Sequence, residues 1–260
     1  MFLEQMINGI TLGSIYAIVA LGYTLVFGVL DIINMAHGEI FMFGAFVGML
    51  IVSKTGAPLP VAFLGAIAVT AAMGLLLERF ALRPLRGRPG ASHLASLIST
   101  IGVSILLENV AHKIFGAGNH IFETTFADIG FRVGPVTIYL VQVVILLISL
   151  LLMAGLALWL GRTRSGKALR ATAENLETAG LLGVDTNRMI TATVVIASAM
   201  GGVAGDGAMA GGLILGLSET FVVAYGSSGY WDAIAFIAII VILLIKPQGL
   251  FGQAPAEARR

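Results

Sequence analysis

Three stretches of this chain carry no charged residue over 26, 23 and 29 positions: 5–30, 55–77 and 133–161. A helix needs roughly 20 mostly apolar residues to cross the hydrocarbon of a bilayer, so each stretch is long enough by itself. Lipid offers the backbone no hydrogen-bonding partner, which leaves only helices and closed barrels as spanning structures. Barrel strands would alternate apolar and polar residues with a period of two. These stretches do not alternate, and the fold class that follows is all-α, a polytopic transmembrane helical bundle. Composition agrees, since 58% of the 260 residues are hydrophobic and only 11% are charged, far from the balance of soluble domains.

Shorter uncharged intervals complete the pattern. Spans are expected near 7–29, 38–53, 59–80, 93–113, 136–160, 189–205, 208–225 and 230–246, about seven to eight membrane segments. The stretch 31–39 reads as broken or re-entrant backbone between two of them. Residues 1–260 form one membrane domain, because no linker rich in Pro, Gly or Ser sets off a second. Glu4 stands where a signal peptide would be basic, and the apolar run after it is too long, so the N-terminus reads as a first span.

The charges are unevenly placed. Arg79, Arg83, Arg86 and Arg88 form one basic cluster, and Arg162, Arg164, Lys167, Arg170 and Arg188 belong to a polar island at 162–188. Together they hold nine of the 15 Lys and Arg residues, which assigns both loops to the cytoplasmic side. Residues 114–135 then form an outer loop. Helix formers fill the island and Gly183 follows them, so one short helix is expected from Lys167 to Leu182. Counting the last three spans leaves the C-terminus outside, whereas Lys246, Arg259 and Arg260 favour the inside. That conflict points to an irregularity in the C-terminal half.

Chemistry-bearing residues are few. With no cysteine there is no disulfide, thiolate metal site or cysteine nucleophile. The four histidines (37, 93, 112 and 120) lack metal-ligand spacing, so no metal or cofactor is expected. No phosphate-binding glycine loop is present, and any ATP use must belong to another chain. The segment Ile33-Asn34-Met35-Ala36-His37-Gly38-Glu39 gathers an amide, an imidazole and a carboxylate beside a span. Two readings stand: a functional cluster, or Asn34 and His37 capping a half-helix while Glu39 sits at the interface or pairs within the bundle. Glu219 either faces a pathway or ends its helix. Glycine pairs four residues apart, such as Gly9 and Gly13 or Gly212 and Gly216, predict close helix packing.

Within the island, Glu177-Thr178-Ala179 followed after three residues by Gly183 resembles the cytoplasmic coupling loop of ABC importer permeases, where a short helix docks in a cleft of the ATPase subunit. The whole chain resembles the LivH-type permeases of bacterial branched-chain amino-acid ABC transporters. The resemblance is carried by Asn8–Ala45, Glu78–Gly87, Leu97–Asn109, Arg164–Asn187, Gly207–Glu219 and Lys246–Gly252. It implies a multi-pass subunit of the bacterial inner membrane that carries no catalytic residue of its own. Its partners would be ABC ATPase subunits, a second related permease, an external substrate-binding protein and the lipid bilayer, with no nucleic acid.

The same resemblance assigns Glu177, Ala179 and Gly183 to ATPase docking, with Arg164, Lys167 and Arg170 holding the 162–188 coupling loop at the cytoplasmic face. Asn34, Ala36, His37, Gly38 and Glu39 match a family signature, and Glu219 is a possible pathway residue. One departure is large, because Gly205 runs directly into Asp206 where the family has a further stretch. An internal deletion at that point is expected. Two other classes stay open from sequence: a membrane-embedded enzyme using His37 and Glu39 as acid and base, and a passive channel.

Overall fold

The computed structural model describes residues 2–86, 93–116, 118, 129–133, 136–200, 206–225 and 237. Helices dominate: α1 (Phe2–Leu30), α2 (His37–Thr55), α3 (Leu59–Leu77), α4 (His93–Phe115), α5 (Leu140–Arg162), α6 (Arg164–Glu174), α7 (Leu176–Leu181), α8 (Thr186–Met200) and α9 (Asp206–Tyr225). A π-helical turn, Glu78–Leu82, extends α3, and β1 (Gly130–Val133) and β2 (Val136–Tyr139) precede α5. Among the described residues five helices are long and apolar enough to cross a membrane: α1, α2, α3 with its π turn, α4 and α5. The described part of α8 is 15 residues long. The expected span at 230–246 lies outside the described residues apart from Ile237.

Local chemistry sets the boundaries. Asp31, with φ 52°, ends α1, its N–H donating to the Phe27 carbonyl at 2.7 Å. Pro58 sits just before α3, where its missing N–H costs nothing. Thr163 caps α6, its Oγ1 accepting from the Gly166 N–H at 3.0 Å.

Two expectations are corrected. The island holds two helices instead of one, because Asn175 is extended (φ −159°, ψ 110°) and starts α7 as an N-cap. Its Oδ1 accepts from the Thr178 N–H at 2.8 Å, which satisfies a donor that a continuous helix would have turned inward. The span placed at 136–160 begins instead at Leu140, because Val136–Tyr139 pairs antiparallel with Gly130–Val133, Gly130 facing Tyr139 and Val133 facing Val136. The paired strands therefore straddle the end of the expected outer loop and the start of the expected span.

By its contacts the chain divides into two units, one of residues 1–20, 123–153 and 205–260, the other of 21–122 and 154–204. In the second unit α2 packs on α3, α3 on α8, and α6 on α7 and α8. Its core joins Leu25, Val26 and Val29 of α1 with Ile40, Leu77, Leu82, Leu169, Ile190 and Val194. In the first unit α1 and α9 run antiparallel, Gly9 lying against Leu217 and Gly13 against Leu213.

Candidate functional site

The polar island folds as a two-helix elbow tied to the core of its unit. On α6, Arg164, Lys167 and Arg170 are exposed, while Gly166, Leu169 and Thr172 on the opposite face are buried. Leu169 is 2% exposed and belongs to the same cluster as Ile190 and Val194 of α8. Burying a leucine stabilises by roughly 1.5–3 kcal/mol. Only glycine fits at 166, because a Cβ there would stand 2.4 Å from the Trp159 carbonyl oxygen and 2.5 Å from the Leu160 Cα. The junction between α5 and α6 is thus fixed by packing.

Helix α7 is closed at both ends. Asn175 caps its start, and at its end Gly183 adopts φ +84°. The Gly183 N–H donates to the Gly180 carbonyl and the Val184 N–H to the Ala179 carbonyl, both at 3.0 Å, which is the paired bonding of a Schellman motif. The residues predicted to dock therefore divide by role. Glu177 is exposed, Ala179 is buried at 1% exposure, and Gly183 shapes the chain with nothing within 4 Å of its Cβ position. Sequence reasoning missed Leu176, Leu181 and Leu182, of which the last two are 84% and 78% exposed. The available signal was a Leu-Leu pair directly ahead of a helix-closing glycine in a polar stretch.

Beside the elbow lies a cavity of about 520 Å³ lined by Arg83, Asp185, Asn187, Arg188, Thr191 and Val195. Asp185 caps α8, accepting from the Arg188 N–H at 3.0 Å, and pairs with the Arg188 side chain at 2.9 Å. Such an exposed pair is worth about 0–1 kcal/mol. Nearby, the π turn buries Glu78 and joins it to Arg86 in an ion pair. Burial pulls the Arg86 guanidinium below its ordinary range, and the facing Glu78 opposes that shift. The Ser99 hydroxyl donates to the Ala81 carbonyl at 3.1 Å, binding the π turn to α4.

The Asn34–Glu39 cluster belongs to the same unit. Asn34 Oδ1 accepts from the Ala36 N–H at 3.2 Å, and its carbonyl accepts from the His37 N–H at 3.2 Å, which turns the chain into α2. Helix α4 meets this turn with a polar stripe. Thr100 Oγ1 accepts from the Met35 N–H at 3.3 Å, and the Ser104 hydroxyl donates to Glu39 at 3.3 Å. His37 is buried, edge-on to the Tyr23 ring at a centroid distance of 4.9 Å. Ala36 is buried and Gly38 half-buried beside them. Asn34 thus closes the turn ahead of α2, whose N-cap is Ala36, and Glu39 accepts a hydrogen bond from α4. Glu219, in the other unit, is buried on α9.

Comparison with known proteins adds the lineage. The branched-chain amino acid transport system / permease component family matches residues 5–206. The chain belongs to that family. Among curated permease relatives, the high-affinity branched-chain amino acid transport system permease protein LivH of Escherichia coli (strain K12) is 36% identical over 302 aligned positions, covering 98% of this chain and 97% of the relative. BraD of Pseudomonas aeruginosa, with the same description, is 35% identical over 308 positions at the same coverage. A probable LivH permease of Methanocaldococcus jannaschii is 27% identical, covering 96% of this chain and 93% of the relative. The E. coli alignment is at least 42 positions longer than the 260 residues of this permease, so that relative carries residues this one lacks. No solved structure matches the permease. The relatives bear the names of transport permeases, which does not favour the enzyme alternative.

Proposed function

We propose that this chain is a membrane-spanning subunit of an ATP-driven importer of branched-chain amino acids in a bacterial inner membrane. The observation that carries it is family membership over nearly the whole chain, joined to an elbow whose outer helix presents apolar side chains outside the spanning helices. Separate ABC ATPase subunits would supply the energy, a second related permease would complete the pathway, and an external binding protein would deliver the substrate. Glu177, Leu181 and Leu182 would meet the ATPase, while Ala179 and Gly183 hold the shape that presents them. Leu169 would carry the resulting movement into the core, shifting the bundle between its inward-open and outward-open arrangements.

In the same reading Arg164, Lys167 and Arg170 keep the elbow on the cytoplasmic side. The Asn34–Glu39 turn serves as architecture beside the pathway. An internal deletion would fall at Gly205/Asp206, a reading supported by the family match ending at 206 and by the longer alignments of the relatives. The test is to replace Glu177 by Ala in the assembled transporter and to follow ATP-dependent leucine uptake. Uptake should fall at least several-fold while the chain remains in the membrane. Unchanged uptake would overturn the docking role, and ATP-independent flux would favour a channel.

A further inference from the structure

Glu219 is a buried acid that neither the elbow nor the α2 turn uses. It is 7% exposed, and its Oε1 is buried without a hydrogen-bonding partner among the described residues. Its place on α9 is well bracketed. Gly212, Gly216 and Glu219 fall at i, i+4 and i+7, on one face of the helix. A Cβ on Gly216 would stand 2.3 Å from the Gly13 Cα, and one on Gly212 would stand 2.7 Å from the Ala17 Cα, so that face lies directly on α1. One turn further along, the Phe2 and Phe221 rings meet at a centroid distance of 5.3 Å. Glu219 shares the face of Gly212 and Gly216, which directs it toward α1 one turn beyond Gly216.

The seam of α1 and α9 has a definite chemical character. Neither helix contains a lysine or an arginine, and their charged residues, Glu4, Asp206 and Glu219, are all acidic. Leu213 and Leu217 lie against the α1 glycines, while Ser218 and Thr220 flank Glu219 in the sequence. A carboxylate in such surroundings is strongly unfavourable without a cation or donor to meet it, and an ionisable group held within a membrane bundle marks a functional position. A hard metal ion would need about six oxygen ligands, whereas a primary ammonium is satisfied by one carboxylate with a few hydroxyls or carbonyls. The contacts at Gly13, Gly212 and Gly216 are backbone to backbone, whereas Gly9 also meets the Leu217 side chain.

We propose that Glu219 binds the α-ammonium group of the transported amino acid, whose aliphatic side chain lies along the leucines of the opened seam. The proposal rests on the transport reading above, to which it adds a specificity residue. Charge-assisted pairing in a dry site should be worth at least about a tenfold difference in affinity.

The test measures equilibrium binding of radiolabelled leucine to the full chain in lipid vesicles without the external protein, with competition by the 2-hydroxy analogue in which a hydroxyl replaces the ammonium. Wild type is expected to bind leucine at least about tenfold better than the analogue. Glu219→Gln should lose that preference and still bind the analogue, while Glu219→Asp, which keeps the charge, should retain it. Equal leucine binding by wild type and Glu219→Gln would overturn the proposal. So would loss of both ligands in Glu219→Gln and Glu219→Asp alike, which marks a structural role. Leucine binding left intact with uptake lost would also overturn it, assigning Glu219 to a proton or to a partner chain. Failure of the assembled wild type to take up leucine with ATP counts against the transport reading itself.

Discussion

Gly183 and Leu169 fix opposite ends of the elbow, and they are expected to fail in different ways. A Cβ at φ +84° strains the backbone by roughly 1–2 kcal/mol, so Gly183→Ala should disturb the end of α7 while leaving the bundle intact. The expected outcome is uptake lowered several-fold at an unchanged amount of membrane-inserted chain, read by transport and immunoblot together. Gly183→Asn should lose less, because asparagine tolerates the left-handed region better. Leu169→Ala removes a core side chain and should cost about 2–5 kcal/mol, seen as reduced recovery of folded chain in mild detergent. Gly183 was legible in the sequence because few residues can follow a helix in that conformation. Ala179 was not legible as buried, since a six-residue helix has too few positions to reveal which side faces inward.

At the scale of elements, α7 is the piece whose outer surface has no packing role inside its unit. Replacing Leu181 and Leu182 together by Ser changes side chains that are 84% and 78% exposed, so stability should hold within about 0.5 kcal/mol per site. Co-purification of ATPase subunits should fall sharply, and its persistence would show that docking lies elsewhere. The break at Asn175 escaped the sequence reading because asparagine within a run of helix formers is only mildly unfavourable, and its capping bond to Thr178 becomes evident once the backbone is extended. The strand pair escaped it although Phe131, Val133, Val136 and Ile138 alternate around Gly134-Pro135, since glycines nearby suggested an outer loop. The longest helices were readable within a few residues, because charge cannot easily enter the bilayer and so marks their ends.

For the whole molecule, sidedness and the extra length of the relatives can each be tested directly. The chain has no cysteine, so a single introduced one reports alone. Lys167→Cys should react with an impermeant thiol reagent only from the cytoplasmic side, and Gly118→Cys only from outside. Inserting the extra segment of the E. coli relative at Gly205/Asp206 should raise uptake, and an insertion without effect would place the missing residues elsewhere. The membrane class was legible from three uncharged stretches, whereas the pairing of Thr100 and Ser104 with residues 33–39 was not, because it joins positions some 65 apart.

The capping of α7 at both ends has a further consequence for recognition. A helix of six residues would not persist in water by itself, since nucleation outweighs so few hydrogen bonds. Here Asn175, Gly183 and the anchored α6 hold it in shape before any partner arrives, so association need not first order a coil, and little conformational entropy is lost on contact. A free peptide of the same residues would lack that preorganisation and should be a poor competitor for the ATPase cleft, whereas a stapled or cyclised version that restores both caps should compete far better.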